Sequence, residues 1–71
     1  MTKNEKNEVC KLLSLARCVI PARVGGTDDA TLGYIARSFA TLARSSRKSR
    51  NDIITLAAGW PAIVQHPDFI V

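Results

Sequence analysis

The fold is decided by residues 27–44, which have the sequence TDDATLGYIARSFATLAR. Apolar side chains recur in this stretch at intervals of three and four residues, the spacing that places them on one face of an α-helix. These side chains are Leu32, Ile35, Ala36, Phe39, Leu42 and Ala43. Thr27 is the expected N-cap, and Asp28 and Asp29 in the first turn suit the positive end of the helix dipole. Residues 27–44 are therefore predicted to form an amphipathic helix.

Gly33 lies inside this helix and weakens it by about 1 kcal/mol relative to alanine. We therefore expect it to permit close packing against a neighbouring helix. The adjacent pair Asp28 and Asp29 is interpreted as helix-terminal rather than catalytic, because neighbouring positions on a helix point about 100° apart.

The N-terminal segment predicts a second amphipathic helix over residues 4–20. Its apolar face has the same spacing and consists of Val9, Leu12, Leu13, Ala16, Val19 and Ile20. Thr2 or Asn4 is the expected cap, and Pro21 ends the helix because proline interrupts helical hydrogen bonding. Residues 21–26, which end in two glycines, are predicted to form a loop.

A third helix is predicted over residues 51–58. Ser49 stands three residues before Asp52, which approximates a capping box, and Gly59 is a natural C-terminal stop. The polar residues from Arg44 to Arg50 are interpreted as a linker that joins the second and third helices.

The C-terminal segment contains prolines and many apolar side chains. Pro61 favours a short helical turn over residues 61–65. Residues 66–71 are expected either to pack across the helices or to remain loose. The fold class is therefore all-α, a small bundle of three helices with a short fourth turn or an irregular tail, in a single domain of residues 1–71.

Size and composition argue for a binding protein rather than an enzyme. A chain of 71 residues buries only about 60% of its unfolded surface, which leaves little room for a deep active site. One histidine and six acidic residues form no motif that joins a nucleophile to an acid or base. No cofactor or metal site is predicted. His66 is expected to be a surface or packing residue, and Trp60 to close the end of the core.

The lack of a long apolar run, the polar N-terminus and the spacing of the cysteines predict a cytoplasmic protein. No apolar run approaches the roughly 18 residues that span a bilayer, and the first eight residues are polar and mixed in charge, unlike a signal peptide. Cys10 and Cys18 lie about 12 Å apart along one predicted helix, beyond disulfide reach. They are expected to be reduced thiols that act as small buried or half-buried apolar residues.

The basic residues between positions 37 and 50 stand out from a net charge of +4. No acidic residue interrupts the segment, and its members are Arg37, Arg44, Arg47, Lys48 and Arg50. Such a run either steers binding to nucleic acid or an acidic protein surface, or is a solvated linker. A basic run before a third helix also invites comparison with a helix-turn-helix DNA-binding domain, whose last helix reads bases in the major groove. The predicted third helix suits that role poorly, because its polar residues are only Asn51, Asp52 and Thr55.

Three stretches together resemble the small transcription regulators of lytic Xanthomonas phages, and the resemblance extends over essentially the whole chain. They are MTKNEKNEVCKLL at residues 1–13, RSSRKSR at 44–50 and GWPAIV at 59–64. The resemblance implies binding to the β′ and β subunits of the host RNA polymerase, displacement of sigma factor and inhibition of initiation, with antitermination as a further activity. It transfers no contact residues, so the docking surface is predicted from charge.

The predicted docking surface consists of the basic segment together with the N-terminal lysines. Its residues are Arg37, Arg44, Arg47, Lys48, Arg50, Lys3 and Lys6. Two alternatives remain open. One is a basic helix-turn-helix-like module that binds nucleic acid, and the other is an inhibitory module that contacts a different protein through the apolar tail around Trp60 and Phe69.

Overall fold

A computed structural model describes residues 1–20 and 28–71. Four helices lie within these residues: α1 (Lys3–Val19), α2 (Asp29–Ser45), α3 (Arg50–Ala57) and α4 (Pro61–Val64). The described part of the chain contains no strand. The prediction of an all-α bundle with a short fourth helical turn is confirmed.

Helix α1 begins at a capping box. The Glu5 amide donates to Thr2 Oγ1 at 3.2 Å, and the Thr2 amide donates to Glu5 Oε1 at 2.8 Å. Thr2 is therefore the cap, rather than Asn4. The helix begins at Lys3, one residue before the predicted start, and Ile20 is its C-cap.

Helix α2 is capped by Asp28 rather than by Thr27. Its carboxylate accepts a hydrogen bond from the Thr31 amide at 3.4 Å, which satisfies one of the free amides of the first turn. The helix therefore begins at Asp29, two residues later than predicted. The predicted loop over residues 21–26 and Thr27 itself lie outside the described residues.

Helix α3 begins at Arg50 and ends at Ala57, each one residue earlier than predicted. Ser49 occupies its N-cap position, but the serine side chain accepts no cap hydrogen bond. The predicted capping box with Asp52 is therefore wrong. The Ser49 hydroxyl donates instead to Glu5 Oε1 at 3.4 Å, so it joins the turn to α1.

Helix α2 is the centre of the bundle, because it packs against each of the other three helices. The buried core draws on all four helices, with Phe39 as its largest fully buried side chain. Its members are Val9, Leu12, Ala16, Ile35, Ala36, Phe39, Ala43, Ile53, Ala57 and Ile63. Several of them are alanines, whose small side chains let the helices approach closely.

The C-terminal tail packs back onto this core, the first of the two alternatives for it. Phe69 and Trp60 both contact the core and are half-buried. Gly33 faces the tail rather than a helix: a Cβ there would lie 2.8 Å from Asp68 Oδ2 and 3.2 Å from His66 Cε1. Gly33 does pack closely, as predicted, but against the C-terminal tail rather than against a helix.

Both cysteines are exposed free thiols, so the prediction of buried or half-buried apolar roles is wrong. Cys10 follows the buried Val9 directly, and one residue turns a helix by about 100°, which carries Cys10 off the apolar face. Within the described ranges, none of the helices combines the length and the hydrophobicity required to cross a bilayer.

Candidate docking surface

Three arginines surround one shallow cleft at the junction of α2 and α3. Arg44 lies in the last turn of α2, Arg47 lies in the connecting turn, and Arg50 is the first residue of α3. Together with Val71 they line a cleft of about 380 Å³. We call these residues, Arg44, Arg47 and Arg50, the arginine cleft. The short turn between α2 and α3 brings these three residues to one cleft.

Two buried serines hold the connecting turn in place. Ser46 and Ser49 are each only 4% exposed, and the Ser49 amide donates to the Ser46 carbonyl oxygen at 3.0 Å. The Ser46 amide in turn donates to the Ala43 carbonyl oxygen at 3.3 Å. Because the serines face inward, Arg47 and Lys48 between them face solvent. The turn therefore exposes the charged side chains of Arg47 and Lys48 to solvent.

Glu5 ties the N-terminus of α1 to this turn. The Ser46 hydroxyl and then the Thr2 amide hold the pKa of the Glu5 carboxyl below its ordinary value, since both stabilise the charged form. The same carboxylate accepts from Ser49 Oγ at 3.4 Å. Glu5 is thus both the capping residue of α1 and its link to the α2–α3 turn.

A second cleft, of about 490 Å³, lies where α1 meets the turn. Arg47 and Lys48 line it from the turn, and Met1, Thr2 and Glu5 line it from the N-terminus. The predicted docking residues Lys3 and Lys6 are exposed on either side of Glu5 but line neither this cleft nor the arginine cleft.

The charges at the turn form no ion pair with an acidic group in the described part of the chain. Among the described residues, no carboxylate lies within 4.0 Å of the cationic groups of Arg44, Arg47, Lys48 or Arg50. The one side-chain hydrogen bond among them runs from Arg44 Nη2 to Thr41 Oγ1, at 3.5 Å. These four cations are consequently free to bind an external anion.

Arg37 stands apart from the other basic residues of the segment. Its Nε lies 3.8 Å from Asp68 Oδ2 and donates to the Gly33 carbonyl oxygen at 3.4 Å. It lies two helical turns before Arg44, which separates their backbones by about 10 Å. The structure therefore divides the predicted cluster into a paired Arg37 and the four unpaired cations.

A groove of about 580 Å³ between α1 and α2 is lined by acidic, basic and apolar residues. Glu8 and Leu12 line it from α1, and Arg37 and Tyr34 line it from α2. Tyr34 is 55% exposed, which makes it the most exposed aromatic side chain of the described residues. This groove carries both signs of charge, in contrast to the arginine cleft.

His66 has two carboxylate neighbours that no sequence pattern indicated. Its Nε2 lies 3.0 Å from Asp29 Oδ1, and its Nδ1 accepts from the Asp68 amide at 3.1 Å. Because Nδ1 accepts, this bonding pattern places the proton on Nε2, which donates to Asp29. The imidazole is only 7% exposed. His66 therefore fastens the tail to the N-terminal turn of α2, a packing role.

Comparison of this chain with protein-family models, with curated proteins and with solved structures finds no match.

Proposed function

We propose that this protein is a non-catalytic phage regulator that binds the β′ and β subunits of the host bacterial RNA polymerase in the host cytoplasm. In this proposal, binding displaces sigma factor and inhibits initiation, and antitermination is a further consequence. The likeness of residues 1–13, 44–50 and 59–64 to the phage regulators supports the choice of polymerase. The unpaired cations of the α2–α3 turn support the choice of docking surface.

The observation that carries the docking proposal is the set of four cations without acidic partners at the turn, Arg44, Arg47, Lys48 and Arg50. Unpaired surface charges speed the encounter with an oppositely charged partner and favour the correct orientation. Arginine also suits bidentate contact with carboxylate. The buried serines Ser46 and Ser49 anchor the backbone of the turn that carries these charges.

Two alternative functions have less support from the geometry. Helix α3 exposes Asn51, Asp52, Thr55 and Leu56, a set that includes an acid and an aliphatic side chain and lacks arginine or lysine beyond its first residue. That face suits sequence-specific base reading poorly. Trp60 and Phe69, the centre of the other alternative surface, pack against the core and are half-buried.

Affinity capture from nuclease-treated bacterial lysate tests the proposal. The tagged protein should recover β′ and β. The double variant Arg47→Gln/Lys48→Gln should recover several-fold less, because it removes two unpaired charges from the cleft between α1 and the turn. The matched control Lys11→Gln/Arg17→Gln removes the same charge from α1 and should recover as much as the unchanged protein. Absence of both subunits from the captured material would exclude polymerase binding.

The functional part of the proposal needs a reconstituted assay. Added protein should lower promoter-dependent transcription by sigma-bound polymerase and release sigma factor from the complex. Arg47→Gln/Lys48→Gln should require a higher concentration for the same inhibition. If capture succeeds while initiation is unchanged, the protein binds polymerase without acting as an initiation inhibitor.

A further inference from the structure

Within the proposed docking surface, the arginine cleft has features of its own that bear on the chemistry of its ligand. It is lined by arginines from three successive segments, the end of α2, the turn and the start of α3. Among the described residues, Val71 is the only other one that lines it. Arginine side chains in this arrangement favour an anion.

The composition distinguishes between two classes of anionic partner. Protein interfaces have apolar and aromatic centres from which most charged residues are depleted. Interfaces with nucleic acid are more polar and much more positively charged. The arginine cleft has no aromatic lining residue, and the neighbouring turn residues are Ser45, Ser46, Lys48 and Ser49. A surface of arginines among small polar residues therefore suits a phosphate backbone.

The start of α3 adds a second contribution. The Ser49 hydroxyl donates to Glu5 and accepts no hydrogen bond from the helix, so no side chain at the N-cap satisfies the first-turn amides. An uncapped helix N-terminus carries partial positive charge and favours an anion. Asp52 in the same first turn opposes this effect, so the arginines make the larger contribution.

We infer that the arginine cleft binds the phosphate backbone of nucleic acid, without reading its sequence. The inference deepens the proposed function and rests on it for the source of the phosphates, namely the nucleic acid held by the transcribing polymerase. Arg37 takes no part, because Asp68 already neutralises it in part at 3.8 Å.

Binding of the intact protein to a short, fluorescently labelled DNA duplex tests the inference. Affinity should fall steeply with salt, since each neutralised phosphate contributes about −0.9 to the slope of log K against log salt. Arg47→Gln/Arg50→Gln should make that slope shallower by about 2 and weaken binding about tenfold or more at about 50 mM salt. Lys11→Gln/Arg17→Gln, with the same net charge, should change binding less than about twofold. Circular dichroism of each variant checks that it is folded.

Three results would overturn the inference. One is no binding of the unchanged protein at about 50 mM salt. Another is an equal loss in the two double variants, which would show diffuse charge rather than a site. The third is displacement of the duplex by an oligoglutamate peptide at equal charge concentration, which would identify the cleft as a carboxylate-binding surface.

The capture and duplex-binding assays together separate this inference from the proposed function. If the duplex does not bind but β′ and β are still captured after nuclease treatment, only the phosphate assignment fails. If the duplex binds through the cleft but polymerase is not captured, the polymerase proposal fails and the phosphate site stands.

Discussion

Gly33 is the residue at which the tail comes closest to α2. A Cβ at this position would lie 2.8 Å from Asp68 Oδ2 and 3.2 Å from His66 Cε1. The Asp68 carboxylate can rotate away, but the nearly buried His66 ring must shift with the tail. At the same time alanine favours the helix by about 1 kcal/mol. The two effects therefore act on different parts of the molecule.

We expect Gly33→Ala to leave the helix content unchanged while it loosens the tail. The amides of Asp68 and Phe69, which donate to His66 Nδ1 and to the His66 carbonyl oxygen, should exchange with solvent several-fold faster. Hydrogen exchange followed by NMR measures this directly. Gly59→Ala is the control, because its Cβ would meet only the Leu56 carbonyl oxygen, at 3.3 Å. Unchanged exchange at Asp68 and Phe69 in Gly33→Ala would contradict the close contact.

Glu5 gives the protein a pH dependence whose sign follows from its pKa. The folded-state pKa is below the ordinary value of 4.5, chiefly through the Ser46 hydroxyl and then the Thr2 amide. The folded state therefore holds the proton less tightly than the unfolded state. The resulting stabilisation is present above the ordinary value and is lost as the pH falls through the folded pKa.

Glu5→Gln should make the free energy of unfolding depend less on pH in this range. Glutamine can still occupy the third position of the capping box, so the substitution removes the charge and keeps the cap geometry. Urea unfolding between about pH 6 and about pH 3 should show a smaller acid-induced loss of free energy in Glu5→Gln than in the unchanged protein. Glu8→Gln, on the exposed face of α1, is the matched control. Equal acid losses in the two variants would count against the Glu5 link.

For single residues, the sequence indicated which ones make specific contacts better than it indicated what they contact. Gly33 was expected to allow close packing, and it does, but against residues more than thirty positions later. His66 and Asp29 lie 37 residues apart, and no periodicity relates positions at that separation. Such contacts depend on how the tail returns across α2, which local pattern does not encode.

At the scale of elements, the capping box is the main local determinant of where α1 begins. Thr2 and Asn4 are both suitable caps by residue type, and the structure selects Thr2 because Glu5 stands three residues after it and returns the hydrogen bond. Thr2→Ala should lower the free energy of unfolding by about 1 kcal/mol. Asn4→Ala should change it by less than about 0.5 kcal/mol. Denaturant unfolding of both variants measures the difference, and equal losses would show that the cap does not determine the start of α1.

The same comparison explains where helix prediction succeeded. Apolar spacing predicted α1 and α2 because each helix buries one face against its neighbours. The third helix was predicted from a capping box, which the structure lacks, and from Gly59 as a stop. The sequence did not predict the exact first residues of the helices. It predicts that Asp28 lies in the first turn of α2, whereas Asp28 is the N-cap of that helix. Ser49 was expected to cap α3, yet it is buried and bonded to Glu5. Residue type alone therefore did not identify the caps of α2 and α3.

At the scale of the whole molecule, the docking surface depends on topology. The sequence indicated the basic segment from its composition, but it could not separate Arg37 from the others or predict that Arg44, Arg47 and Arg50 line one cleft. The short turn between α2 and α3 creates that convergence, and the buried Ser46 and Ser49 anchor the turn. The charge was therefore predictable, and the site was not.

Because one small core holds this surface in place, loss of the core should abolish both proposed binding activities together. Phe39 is fully buried at the centre of α2, and Phe39→Ala should lower the free energy of unfolding by about 3–5 kcal/mol. A domain of this size has little stability beyond that, so the variant should be largely unfolded at room temperature. Leu56→Ala, at a position 36% exposed, should cost less than about 1 kcal/mol. Circular dichroism during thermal unfolding measures both. If Phe39→Ala remained folded and still bound polymerase and duplex DNA, the surface would not depend on the packing of α2 against the other helices.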